Sequence, residues 1–385
     1  MPQVTGFAAS QIPTMLQDLE AVWEESRANE NRTYQADTQI LTDLWREQTA
    51  ELAGPLTEND SCLPIKIVWL EGGDIAVTDG ESLNHAAVTC EIDGTEPASN
   101  KVEYQITKFK SATLKIKEKD CGNHFQFDKR FQHKMLRTQI ALINSLAAMV
   151  PAKFLEFSGA NLTPGALGTY GKLVDGTTDD PKLTRVPAGN FNAFDLVPYV
   201  SELQEANRFK DPALFDGGNL RYVTYNAERQ QNTPAGDAGQ QNHFDDLRIY
   251  RDGINFRKNP GLVDSTFMVD KGAVALYTAA YGPQRQDING NGFAETKFRT
   301  PIFGLRQANG GATLPVEADV IFRRERLPIA PGSPLCEDYF VWELKLWYIF
   351  LNNPLLSAND GVTGVIRLKR DATLTQKGTP MQKAL

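Results

Sequence analysis

The chain is 385 residues long, enough to bury a substantial core in about two or three compact units without covalent staples. Its four cysteines, Cys62, Cys90, Cys121 and Cys336, are widely spaced and form no CxxC pair, which excludes a disulfide framework and a zinc ribbon and suits a reducing cytoplasm. The net charge of −8 lies wholly in residues 1–60, with eleven acidic residues against three arginines, while residues 61–385 balance at 37 of each sign, so no excess of cations offers a tight grip on phosphate.

The opening "MPQVTGFAAS" has neither the basic nor the apolar part of a signal peptide. No apolar run approaches the roughly 20 residues of a membrane span, so no membrane partner is expected. From Ile12 to Leu52 the pattern predicts two acidic helices. Leu16, Leu19, Val22 and Trp23 stripe the first; Ile40, Leu41, Leu44 and Trp45 stripe the second. Glu24, Glu25, Asp37, Asp43 and Glu47 take their other faces. Such helices are expected either to pack on another surface or to form a helical cap on their own domain; on the first reading, removal of residues 1–56 is expected to leave a folded core.

Between Pro64 and Glu118 the period changes to two. "KIVWL", "AAVTCEI", "KVEYQITKF" and "ATLKIKE" read as strands separated by polar turns, with Val102, Tyr104 and Ile106 on one face of the third. Half-polar strands of this kind predict an extended hairpin that needs a neighbour to cover it. At Phe127 the period returns to 3.6, and Phe127, Phe131, Met135, Leu142 and Leu146 lie along one face of the longest amphipathic helix. Leu136, Ile140, Ile143, Ala147 and Val150 widen that face, and Pro151 is expected to end the helix.

Residues 161–261 are rich in turns, with a short helix at "YVSELQEANRF", a strand at "LRYVTY" and an exposed loop at "NAERQQNTPAGDAGQQNHFDD". "STFMVDKGAVALYTAAYGP" predicts a buried strand and then a small-residue helix capped by Asp270. "EADVIFRRERLPI", "EDYFVWELKLWYIFLNNP" and "GVIRLKR" supply the closing strands, the second with Phe340, Trp342, Leu344, Leu346 and Tyr348 on one side. Helices and strands without βαβ alternation indicate an α+β class.

Candidate chemistry is sparse. "DINGNGFAET" places Asp287, Asn289, Asn291, Gly292 and Glu295 at positions one, three, five, six and nine of a calcium loop. Position twelve is Phe298, which cannot complete a hard cation's shell, so a pair of Asn-Gly turns is the favoured reading. Cys121 and His124 have ligand-like spacing and His133 follows, but a fourth ligand would have to come from Cys90 or His85. His243 is isolated. There is no GxSxG elbow, phosphate loop or dinucleotide fingerprint, and no catalytic, cofactor or metal residue is nominated.

In order, these pieces resemble the major capsid protein of tailed bacteriophages, the Johnson or Hong Kong ninety-seven type. "TMLQDLEAVWEES" through "TDLWREQTAEL" resembles its N-terminal arm, Pro64 to Lys119 its extended loop, and "FQFDKRFQHKMLRTQIALINSLAAMV" its spine helix. "STFMVDKGAVAL" is similar to a segment of the axial domain, and "YFVWELKLWYIFLNNP" with "GVIRL" resembles its late strands. The resemblance implies an arm at 1–60, an extended hairpin loop at 61–124 and a peripheral domain with the spine helix at 125–195. An axial domain at 196–310 follows, then a return to the peripheral sheet and a C-terminal tail at 311–385. It also implies a non-enzymatic shell protein without cofactors, assembled in the host cytoplasm and found in the virion. Its partners would be copies of itself in hexamers and pentamers, portal, scaffold or head-decoration proteins, and packaged DNA only weakly or indirectly. The alternative from another class is a calcium-assisted binding module or surface adhesin resting on Asp287 to Glu295; a third is a hydrolase with dispersed carboxylates.

Overall fold

The computed structural model describes residues 38–48, 66–71, 100–117, 126–159, 183–220, 248–281, 296–309, 312–328, 336–353 and 363–374. They belong to two compact units. One is Glu51–Ile106; the other comprises Met1–Ala50 and Thr107–Leu385.

The smaller unit contains strands β1 (Lys66–Glu71) and β2 (Asn100–Gln105), paired antiparallel. Their register sets Ile67 opposite Tyr104 and Trp69 opposite Val102, so these four positions fall on one face of a two-stranded ribbon. The predicted strand "AAVTCEI" lies outside the described residues. The run "ATLKIKE", expected within the same hairpin, is instead part of β3 (Lys108–Lys117) and belongs to the larger unit, where it pairs with a strand more than two hundred residues away.

The larger unit holds two sheets. In the first the order is β3-β11-β10-β9, with β9 at Thr296–Asn309, β10 at Ala312–Pro328 and β11 at Cys336–Asn352. All its pairs are antiparallel, and β8 (Val274–Ala279) takes up the end of β11 beyond β10. Alternation along β11 places Phe340, Trp342, Leu344, Leu346 and Tyr348 inward, as the period of two predicts. In the second sheet the order is β4-β12-β7-β5-β6, formed by Leu183–Pro187, Val365–Asp371, Ser265–Val269, Ala213–Asp216 and Arg248–Arg251 respectively. The closing strand β12 therefore leaves the sheet of β10 and β11, with which the sequence had grouped it.

Helix α1 covers Gln39–Glu47, α2 Gln126–Ala147, α3 Val150–Phe157, α4 Ala193–Ala206 and α5 Gly253–Arg257. Up to Leu142, α2 buries Phe131, Met135, Leu136, Ile140 and Leu142 against Leu114, Trp342 and Leu344 of the long sheet. Its last turn enters a second core with Ile143, Leu146 and Ala147, joined there by Val150 and Phe154 of α3. The stretch Arg130–Phe157 has the length and composition of a membrane span, but the apolar positions named here lie inside these cores. Pro151 does not stop a helix as expected. It sits in the first turn of α3, where its missing N–H costs nothing.

Two further expectations are corrected. The segment after Asp270 is not a helix: β8 is a strand buried on both faces, which erases the period-two signal. Asp270 ties down the chain elsewhere, its carboxylate accepting from the backbone N–H groups of Lys210 at 3.0 Å and Asp211 at 3.3 Å. Helix α4 extends the predicted "YVSELQEANRF" helix by a turn, because Asn192 caps it by accepting from Asp195 N at 3.1 Å, and it carries Pro198 inside. Residues 221–247, including the predicted strand "LRYVTY" beyond its first residue and the polar loop, lie outside the described residues, as does the first N-terminal helix.

Helix α1 is no detachable arm. Ile40, Leu41, Leu44 and Trp45 share the core that holds Phe154, Phe267 and Leu346. The Trp45 indole donates to the Leu276 carbonyl at 3.0 Å, and the Glu47 carbonyl accepts from Gly272 N at 2.8 Å. Asp43 and Glu47, expected on a solvent face, are 3% and 1% exposed. A stripe read on α1 alone misses this, because β6, β8 and β9 surround the helix on more than one side.

Candidate assembly surface

Alternation that turns Trp342 and Leu344 toward α2 turns Glu343, Lys345 and Trp347 of β11 the other way. Register extends this outer face across the sheet, with Ser111 and Phe109 of β3 beside Lys345 and Trp347, and Arg323 and Asp319 of β10 beyond. The charges are laced to each other. Lys117 pairs with Glu337 at 2.5 Å, Arg323 reaches Glu343 at 3.1 Å and also bonds Glu325, and Lys345 lies 3.3 Å from Glu343. Burial alone would lower the Arg323 pKa, but the two carboxylates outweigh it and hold the guanidinium charged. Such half-exposed pairs contribute about 0–1 kcal/mol each, so they fix the face more than they stabilise it.

At one end of the ladder is an aromatic island. Phe109, 44% exposed, packs against Trp347 with ring centroids 4.8 Å apart and the rings tilted by 54°, and Tyr281 meets the same indole edge-on at 4.9 Å. Asp319 locks it by accepting from Trp347 Nε1 at 2.9 Å and from Tyr281 N at 3.1 Å. Lys345 lies over the Phe109 ring, 5.3 Å from its centroid. An ordered, partly exposed cluster of Trp, Tyr and Phe is the kind of surface that anchors protein contacts. No sequence motif marks it; only the pairing of residues 109 and 347 brings it together.

Buried polar groups elsewhere serve the fold. Asp216 accepts from Gly218 N, Asn219 N and Leu220 N and from the Thr266 hydroxyl at 2.8 to 3.1 Å, closing the turn after β5. Asp371 accepts from Thr373 N at 2.8 Å, Thr373 Oγ1 at 2.6 Å and Arg185 Nε at 2.8 Å, and this set holds its pKa down at about 2. Glu47 accepts from the Tyr250 hydroxyl at 2.6 Å and pairs with Arg248 at 2.9 Å. Burial and then the adjacent Glu47 push the Tyr250 phenol's pKa up. None of these groups joins a nucleophile to a base beside an open cleft.

Among the described residues no His, Cys, Asp and Glu gather in a metal-holding group. Asp287, Asn289, Asn291, Gly292 and Glu295 lie outside the described residues, as do Cys62, Cys90, Cys121, His85, His124 and His243. Phe298, at the twelfth position of the calcium pattern, is in β9, paired with Val320. His133 is exposed on α2, and Cys336 is exposed at the start of β11.

No family model and no curated protein matches the sequence. Among solved structures, the chain is similar to one from Mycobacterium phage Adephagia at 13% identity, covering 89% of this chain and 92% of that one, with a TM-score of 0.41. It is also similar to the cyanophage Pam1 capsid asymmetric unit at 11% identity, covering 83% and 87%, with a TM-score of 0.40. A third is the capsid structure of the cyanophage P-SCSP1u, at 10% identity over 80% and 84% with a TM-score of 0.38.

Proposed function

We propose that this chain is a structural protein that assembles with copies of itself into the icosahedral head of a tailed bacteriophage enclosing double-stranded DNA, without catalysis or cofactor. The observation that carries this reading is the ribbon of β1 and β2. It forms part of a compact unit of its own, its register gathers Ile67, Trp69 and Val102 on one face, and a two-stranded hairpin is marginal at best in water. In the assembled shell, neighbouring copies supply the cover.

Within this reading the ribbon is the extended loop, α2 is the spine helix and the sheet of β3, β11, β10 and β9 is the peripheral domain. The sheet of β4, β12, β7, β5 and β6 with α4 is the axial domain that meets its copies in hexamers and pentamers. Only residues before α1 remain as an arm. Portal, scaffold and head-decoration proteins are further partners, and the protein resides in the virion after assembly in the host cytoplasm. The balance of charge beyond residue 60 suits a wall that contains DNA without holding it tightly.

Negative-stain microscopy of the purified chain tests the reading: regular particles or six- and five-fold capsomers are expected. Val102→Asp, placing a charge opposite Trp69, should leave a folded, soluble chain that does not close shells. A collapsed melting transition of the unassembled variant would instead show that the ribbon face is covered within its own chain.

A further inference from the structure

Helix α1 carries two carboxylates one turn apart, both buried and differently provided for. Glu47 has a cation and a phenol: Arg248 at 2.9 Å and the Tyr250 hydroxyl at 2.6 Å, both from β6. Arg248 is held in turn by Asp211 at 2.7 Å, which Lys271 approaches at 3.5 Å. Asp43 has much less. Among the described residues, it accepts a hydrogen bond from the neutral amide of Gln39 at 2.7 Å, and the cation paired with it, Arg46, stands 3.8 Å away with its side chain 64% exposed.

Two further negative charges bear on Asp43. Glu47 lies one turn along the helix, and Asp252 comes from the turn into α5, where it already accepts from Ile254 N, Asn255 N and the Asn255 amide. Ionising Asp43 therefore adds a carboxylate beside Glu47 and Asp252, in a region whose partly buried guanidinium, Arg248, already serves Glu47 and Asp211. Burial comes first in raising the Asp43 pKa above its ordinary 3.8; the Gln39 hydrogen bond and Arg46 offset it only in part.

We propose that Asp43 is the proton switch of an α1 latch: neutral Asp43 seats the helix in its groove among β6, β8 and β9, and ionised Asp43 loosens it. The sign follows from the protonation states. Undocked, Asp43 titrates at its ordinary value; docked, it holds its proton to higher pH. Docking is thus strongest below 3.8 and weakens as pH rises from there through the raised value. Within that window, opening of α1 grows by up to about tenfold per pH unit and levels off above it. Loosening of α1 is a property of the single chain that stands whether or not copies form a shell.

Hydrogen exchange of the full, unassembled chain tests this, read by mass spectrometry on peptides spanning residues 38–48 and corrected for the intrinsic pH dependence of exchange. The β12 strand serves as a reference within the same molecule. Protection of α1 relative to β12 should fall as pH rises through the window. Asp43→Asn keeps the Gln39 hydrogen bond and cannot ionise, so its relative protection should be flat and high. Gln39→Ala removes the donor that favours the ionised form and should carry the transition to higher pH. A pH profile for Asp43→Asn that matches the unaltered chain, or an α1 that tightens as pH rises, overturns the proposal; if Asp43→Asn does not fold, an unmoved transition in Gln39→Ala overturns it equally.

Discussion

Replacing Trp45 tests whether α1 is a structural member of the core. Its side chain is 2% exposed, packs in the cluster with Phe154 and Phe267, and donates to the Leu276 carbonyl at 3.0 Å. Truncating a buried Trp to Ala costs about 3–5 kcal/mol, through lost transfer energy and the cavity left behind. Trp45→Phe keeps most of the volume but leaves the carbonyl without its indole donor, a loss of about 1–3 kcal/mol. Burying Ile40, Leu41, Leu44 and Trp45 together contributes roughly 6–12 kcal/mol, at about 1.5–3 kcal/mol each, on the scale of a whole domain's stability of about 5–15 kcal/mol. Urea unfolding of the unassembled chain, followed by circular dichroism, should therefore show Trp45→Ala well below Trp45→Phe and both below the unaltered protein. Deletion of residues 1–48 should lower the urea midpoint further than Trp45→Ala does, leaving a destabilised remainder that still unfolds cooperatively. A truncated chain that unfolds at the same urea concentration as the full one would refute the reasoning and restore α1 to a dispensable arm.

Other substitutions read other parts of the structure. Gln139, 1% exposed on α2, has both amide atoms buried without a partner among the described residues, so Gln139→Met should raise stability by about 1–3 kcal/mol in thermal unfolding. Asp371→Asn should cost about 2 kcal/mol at neutral pH. In an acid titration the unaltered chain keeps that contribution above 3.8 and loses it as pH falls through about 2, while the variant lacks it throughout. Phe109→Ser should leave the melting temperature of the unassembled chain within about a degree or two, because the ring is half-exposed, yet impair particle formation if the aromatic island is a contact.

Elements whose burial is one-sided were legible in the sequence. The face of α2 from Phe131 to Ala147 and the inward row of β11 follow their periods residue by residue, because each buries one side only, although both run from one core into the next. The period failed where burial comes from several sides. β8 shows no alternation because both its faces are covered, and its small residues after Asp270 imitate a capped helix. On α1, Asp43 and Glu47 mark a solvent face in the sequence, although Gln39, Arg248 and Tyr250 receive them inside. Pairing between distant strands has no local signature at all. Nothing in the sequence of β3, "KFKSATLKIK", indicates that it lies beside residues 339–348, and so nothing could place Phe109 against Trp347.

That same pairing sets a clock on biogenesis. β3 occupies the edge of the long sheet beside β11, and Lys117 meets Tyr339 while Lys108 meets Tyr348. A ribosome adding roughly 5–20 residues per second needs on the order of ten to fifty seconds to deliver β11 after β3 has emerged. Through that interval the inner face of β3, with Leu114 and Ile116, and the apolar side of α2 have no sheet to close against. Long-range pairing is slow even once the whole chain is present. Newly made chains therefore hold an apolar strand and helix with only each other to pack against until β11 arrives. Their yield should depend on chaperone capacity during synthesis, well before any copy meets another.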